Sequence, residues 1–211
     1  MIGEHSVKIN AVITKPTIRL DYANNTAILS AAVIAAGILT GSLVYFVTYN
    51  EDINSLCEYF LTFITDFSKK NKPEIFSGLI LSDLPYLVMM LILGTSVIGT
   101  PGILALTYIK SIGIGLLITY IYDSFALKGL EFSLLVLMPG IFVLIFAMIL
   151  LTQSCFVNSQ NINKALNNKE NGVLPHQKFF IRSLIIISIF IFSSVLDCVT
   201  LTGFSSLFDF S

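Results

Sequence analysis

The stretch from Phe76 to Tyr122, FSGLILSDLPYLVMMLILGTSVIGTPGILALTYIKSIGIGLLITYIY, decides the fold class. It holds two apolar runs, 76–98 and 103–122, each long enough as a helix to cross the roughly 30 Å hydrocarbon core of a bilayer. Between them stand Gly99-Thr100-Pro101-Gly102. Glycine and proline favour a turn and interrupt helix propagation, so the two runs are expected to form a tight hairpin of neighbouring spans.

Three further runs lie outside this hairpin. Residues 27–47 would span about 31 Å as a helix. The residues that follow, Thr48-Tyr49-Asn50, offer no small-x-small cleavage site, so this run reads as a retained anchor. Runs at 132–151 and 179–201 bring the total to five. The expected fold is therefore an all-α, polytopic helical bundle forming a single membrane domain. Residues 1–26 and 152–178 are read as its cytoplasmic segments.

Composition agrees. Hydrophobic residues make up 55% of the 211 positions and charged residues 12%, with a formal net charge of −1. The mean hydropathy is +0.85. Such a chain cannot hide its apolar surface in one soluble core, and the bilayer is its first partner. The twelve Lys and Arg are dispersed rather than gathered into a basic stripe, which argues against nucleic acid.

With the N-terminus inside, the cytoplasmic segments hold Lys8, Lys15, Arg19, Lys164, Lys169, Lys178 and Arg182. The outer ones hold Lys69, Lys70, Lys72 and Lys128. The excess favours a cytoplasmic N-terminus and an external C-terminus. The cluster at 69–72 argues the other way, but it shares its loop with Glu51, Asp52, Glu58, Asp66 and Glu74.

That outer loop has a helical period. Ile53, Leu56, Cys57, Phe60, Phe63, Ile64 and Phe67 recur at steps of three and four. Asn50 is a candidate cap and Pro73 a stop, so residues 50–72 read as an amphipathic helix on the outer membrane surface. Its apolar face either packs on the protein's own spans or docks a partner through Ile53, Leu56, Phe60, Phe63, Ile64 and Phe67.

The chain has no HExxH, GxSxG, CxxC or Gly-rich phosphate loop, and its two histidines, His5 and His176, fall outside the spans. It therefore reads as non-enzymatic, without a metal or other cofactor. Cys57, Cys155 and Cys198 read as small buried hydrophobes, with a Cys57–Cys198 bridge as the alternative.

Within the spans stand Asp83 and Lys110, with Asp197 and Arg182 nearer the ends. A charge in lipid costs at least about 2.5 kcal/mol, so each needs a partner or a task. A hairpin pivoting near residue 100 places Asp83 and Lys110 about 10 Å apart along the axis, leaving a direct pair open. Gly37 and Gly41 stand one turn apart, and Gly113 has Gly115 nearby, all suited to close helix approach. Pro85 and Pro139 each remove a backbone hydrogen bond inside a span.

The segment from Gly94 to about Asn161 resembles the core of the stage II sporulation protein M family. The resemblance rests on Gly99-Thr-Pro101, Tyr108-Ile-Lys110-Ser-Ile-Gly113, Gly129 and Met138-Pro139, and in motif it covers about a third of the chain. Two positions depart from the family pattern. Ser111 follows Lys110 where glycine is common, and Gly140 follows Pro139 where a polar residue such as His or Gln is common.

The resemblance implies a membrane scaffold that recruits cell-wall hydrolases to remodel septal peptidoglycan during engulfment. It also implies a bacterial cytoplasmic or septal membrane location and hydrolase partners on the outer face; other membrane proteins and further copies of the chain are additional candidate partners. The competing reading is a membrane subunit of a transporter or permease, motivated by Asp83, Lys110 and the two prolines.

Overall fold

A computed structural model describes residues 17–47, 55, 72–168 and 176–204 of the chain. Apart from the turn at 95–98, every described residue is helical. The elements are α1 (Thr17–Val47), α2 (Lys72–Gly94), α3 (Gly99–Phe132), a π-helical segment (Ser133–Leu137), α4 (Met138–Asn168) and α5 (His176–Phe204). Five stretches are long and apolar enough to cross a membrane: Asn25–Val47, Phe76–Gly94, Gly99–Asp123, Leu134–Leu166 and Phe179–Gly203. The expected polytopic helical architecture is thus present. The amphipathic segment at 50–72, with Ile53, Leu56, Phe60, Phe63, Ile64 and Phe67, lies almost entirely outside the described residues.

The helix boundaries differ from the sequence reading in ways that matter. The turn joining α2 and α3 is Thr95–Ile98, not Gly99–Gly102, and Gly99, Thr100 and Pro101 form the first turn of α3. Proline is tolerated there because the first helical N–H groups have no intrahelical acceptor. The turn is closed by Thr95 and Ser96 N–H groups donating to the carbonyls of Leu91 and Leu93, each at 3.1 Å. Its pivot therefore falls between Ser96 and Val97.

Residues 152–178, read as a cytoplasmic loop, also differ. Helix α4 continues to Asn168. The reason is burial, because Thr152, Cys155, Asn158, Ser159 and Ile162 repeat at three and four residue steps and all face inward. At the other end, α1 begins at Thr17, ten residues before the apolar run. Pro139 lies just after the π-helical segment, with helical residues on both sides and inside the apolar stretch Leu134–Leu166, as expected for a proline within a span.

Helices α1 and α3 form the most extensive interface of the bundle. They run parallel, since Gly37 meets Tyr108 and Ser111 while Tyr45 meets Tyr120 and Asp123. Each presents small residues four apart, Gly37 and Gly41 on α1 and Ser111 and Gly115 on α3. A Cβ at Gly41 would run into the Ile112 carbonyl oxygen, and one at Gly115 into the Ile38 carbonyl oxygen. The two backbones are therefore in direct contact, which only glycine permits at these positions. Gly113 has open space around it, so Gly115 makes the close approach on α3.

All five helices contribute to one core that includes Ile34, Met90, Ile103, Met148, Leu151, Cys155 and Phe190. A second cluster, with Tyr45, Tyr120, Ile121, Val136, Leu137 and Leu201, fills the end of the bundle beside the π-helical segment. The outward faces carry Leu39, Leu43, Phe46, Ile109, Phe142, Phe146, Phe180 and Phe192. Such a surface suits a lipid solvent.

A bulky side chain at the α1–α3 contact should overpack it. Gly41→Leu or Gly115→Leu is expected to cost about 1–3 kcal/mol, read as a lower midpoint of thermal unfolding in detergent or nanodiscs. Gly113→Leu should leave that midpoint within error of the parent.

Candidate functional site

Burial of polar groups inside an apolar bundle is costly, so each one present has to be accounted for. Asp83 and Tyr86 lie one turn apart on α2. Thr107, Lys110 and Ser111 share a face of α3, while Ser193 and Asp197 share a face of α5. On α4, Thr107 meets Thr152, while Ser193 and Asp197 meet Gly140 twelve residues earlier.

Lys110 Nζ donates to Asp83 Oδ1 at 2.7 Å, with the side chains 27% and 16% exposed. The 10 Å offset expected from the sequence is absent because the hairpin pivots between Ser96 and Val97. That point is midway between residues 83 and 110, so the two positions are level across the hairpin. The pair borders an open-sided groove of about 290 Å³ between α2 and α3, lined by Pro85, Met89, Leu106 and Ile109. The Lys110 stem adds to its apolar wall.

One turn from the pair, toward the hairpin turn, Thr107 Oγ1 donates to the Ile103 carbonyl at 2.8 Å and lies 2.9 Å from Thr152 Oγ1. A hydroxyl has one proton, so Thr152 donates to Thr107. The Tyr86 hydroxyl is buried nearby, within reach of the Thr107 and Thr152 hydroxyls. Its ring packs at a tilt on Phe190 of α5, with centroids 6.2 Å apart.

On the other side of α2, Asp197 places its carboxylate over Gly140. A Cβ at Gly140 would collide with Asp197 Oδ1. Ser193 Oγ donates to the Gly140 carbonyl at 2.9 Å, tying α5 to α4 at the same level.

A separate polar group fastens the hairpin turn to α4. Asn158 Nδ2 donates to the Gly94 carbonyl at 2.9 Å, and Ser159 Oγ donates to the Ser96 carbonyl at 2.8 Å. Thr100 Oγ1 lies 3.3 Å from Ser159 Oγ. Gly94 ends α2, so its carbonyl has no helical donor, and Asn158 supplies one. At the opposite end of the bundle, Tyr45 donates its hydroxyl to Asp123 Oδ2 at 2.9 Å, and Thr119 donates to Ser42 at 3.0 Å.

The family model for Stage II sporulation protein M matches residues 26–197, most of the chain. The chain belongs to the stage II sporulation protein M family. It is thus a sporulation-related membrane protein, of a family not known for enzymes. No curated protein and no solved structure matches it.

The two departures from the family pattern are both explained by packing. Ser111 is fully buried with its Cβ 2.6 Å from where a Cβ on Gly37 would stand, so the glycine on α1 makes room for the serine on α3. Its hydroxyl donates to the Thr107 carbonyl at 2.7 Å. At Gly140, the space that a polar side chain would need holds the Asp197 carboxylate. The polar group at this point of the bundle comes from α5 instead of α4.

Asp83 and Lys110 come together, as do Gly37 and Gly41 with α3, whereas Gly113 does not take part. Tyr86, Thr107, Thr152, Asn158 and Ser159 were invisible as a site in the sequence. Their partners lie on other helices, and a hydroxyl in an apolar helix ordinarily bonds its own backbone. Asn158 and Ser159 carried a usable signal, because they continue the inward-facing stripe of Thr152 and Cys155. Of the cysteines, Cys155 is a buried free thiol packed on Gly94, and Cys57 lies outside the described residues.

Removing one member of the ion pair leaves the other charge uncompensated. Asp83→Asn and Lys110→Met should each lower stability, approaching about 3–5 kcal/mol in the fully buried limit. The double variant Asp83→Leu/Lys110→Met should recover much of the loss. A double-mutant cycle on unfolding midpoints in nanodiscs measures the coupling.

Proposed function

We propose that this protein is a non-enzymatic membrane scaffold that recruits cell-wall hydrolases for septal peptidoglycan remodelling in engulfment. The observation that carries this reading is the family match across residues 26–197. The geometry is compatible with it. The interior polar groups are largely engaged with one another or with backbone, and extensive apolar helix faces remain on the outside for lipid and for lateral partners.

On this reading the N-terminus is cytoplasmic and the C-terminus external, as the Lys and Arg distribution favours. The segment at 50–72 lies on the outer face and docks the hydrolase through Ile53, Leu56, Phe60, Phe63, Ile64 and Phe67. The location is the bacterial cytoplasmic membrane, concentrated at the septum, and copies of the chain associate laterally. The transporter reading draws on the intramembrane Asp83–Lys110 pair and on Pro85 inside α2.

Gentle solubilisation of the tagged full chain from sporulating cells, followed by mass spectrometry of co-purifying proteins, separates the two readings. Recovery of a cell-wall amidase or transglycosylase is expected, and recovery of a nucleotide-binding ATPase in its place favours transport. Phe60→Glu or Phe63→Glu should lower hydrolase recovery several-fold while the protein stays in the membrane; unchanged recovery removes the docking role from this segment.

A further inference from the structure

The ion pair between α2 and α3 is not sealed inside the bundle. The Asp83 and Lys110 side chains keep 16% and 27% of their surface exposed, and they border the groove that opens sideways between the two helices. An ammonium has three N–H donors and a carboxylate two acceptor oxygens, yet a single hydrogen bond, from Lys110 Nζ to Asp83 Oδ1, joins them. Among the described residues no second hydrogen bond reaches either group. Both lie in stretches long and apolar enough to cross a membrane, Phe76–Gly94 and Gly99–Asp123, so their open side faces the membrane interior. Hydrocarbon offers no acceptor to the spare ammonium protons and no donor to the spare oxygen.

Charge and register together define what fits this face. Its open side shows one positive and one negative group side by side, so its complement must show the same two in reverse order at the same depth. Residues 83 and 110 are level across the hairpin, because the pivot between Ser96 and Val97 is equidistant from both. Two copies inserted with the same orientation can be related by a two-fold axis along the membrane normal. That operation keeps depth and exchanges sides. It sets α2 of one copy against α3 of the other and brings each Lys110 opposite the other copy's Asp83. Met89 and Ile109, 55% and 63% exposed at the edges of the groove, supply apolar knobs for the groove of the facing copy. By contrast, the outward faces around Leu39 and Leu43 of α1 and around Phe142 and Phe146 of α4 carry no charge for a second copy to match.

We propose that the α2–α3 face is a self-association surface, at which two copies of the chain meet across a two-fold axis along the membrane normal and their Asp83 and Lys110 side chains form one alternating ring of four charges. The ring gives each ammonium and each carboxylate a second partner and closes the groove to lipid. This deepens the lateral association of copies in the reading above and rests on that part of it alone. Hydrolase docking by the segment at 50–72 is tested separately.

The experiment uses the purified full chain in vesicles of phosphatidylethanolamine and phosphatidylglycerol. Met89 and Ala105 are exposed on the two facing helices and differ in depth by about 1.5 Å. Differently tagged Met89→Cys and Ala105→Cys chains, mixed and oxidised, should form a disulfide-linked heterodimer several-fold more abundantly than a mixture of Phe142→Cys and Ala105→Cys chains. Single-molecule photobleaching of the fluorescently tagged parent should show mainly two-step spots, and Asp83→Leu/Lys110→Met should lower that fraction several-fold. Single-step spots in the parent, a Met89–Ala105 cross-link no stronger than the control, or a double variant that pairs as the parent does each overturn the proposal. If the double variant fails to assemble, Ile109→Trp on the exposed rim decides in its place: a several-fold loss of two-step spots supports the surface, and an unchanged fraction overturns it.

Discussion

An ammonium in the middle of a membrane span has to meet a carboxylate, and Lys110 meets Asp83 because the α2–α3 turn is where it is. Shifting the pivot by a few residues along the chain would move the two groups apart by several ångströms along the hairpin axis. The 2.7 Å contact therefore ties the register of the hairpin to the electrostatics of the interior. Much of the remaining structure holds that register. Asn158 and Ser159 grip the turn from α4, the Thr107–Thr152 pair locks α3 to α4 one turn from the charges, and Ser193 ties α5 to α4 at Gly140.

In lipid the hydrophobic effect gives little reason for one apolar helix to prefer another over the bilayer. The bundle relies on two other means of association. Backbone-to-backbone contact along α1 and α3 gains dispersion through small residues, at Gly37, Gly41, Ser111 and Gly115. Side-chain hydrogen bonds to carbonyls at helix ends and across faces give specificity to α4 and α5. Two hydrogen bonds, Tyr45 to Asp123 and Thr119 to Ser42, add to the shape contact of α1 with α3, while the hold of α4 on the hairpin turn is polar.

The helical membrane fold was legible in the sequence, because runs of twenty apolar residues leave few alternatives. The family was legible from Gly99-Thr-Pro101 and the Tyr108–Gly113 segment. The turn was misplaced by about four residues, since Pro101 was taken to break the helix that it begins. That displacement alone made the Asp83–Lys110 pair look distant. The extension of α4 to Asn168 was missed because Thr152, Ser154, Asn158 and Ser159 lower the hydropathy while keeping helical spacing. The meeting of Asp197 with Gly140 joins positions 57 residues apart on antiparallel helices, and no local pattern encodes it.

The parallel contact of α1 with α3 also constrains how the protein is made. Synthesis proceeds from the N-terminus, so α1 enters the bilayer before its principal partner exists. The antiparallel α2 must cross in the opposite sense before α3 can follow in the direction of α1. During that interval the glycine face of α1 is covered by lipid chains, which fit a groove of bare backbone poorly. The arrival of α3 expels them. Sequestration of α1 is thus a delayed event, coupled to completion of the hairpin.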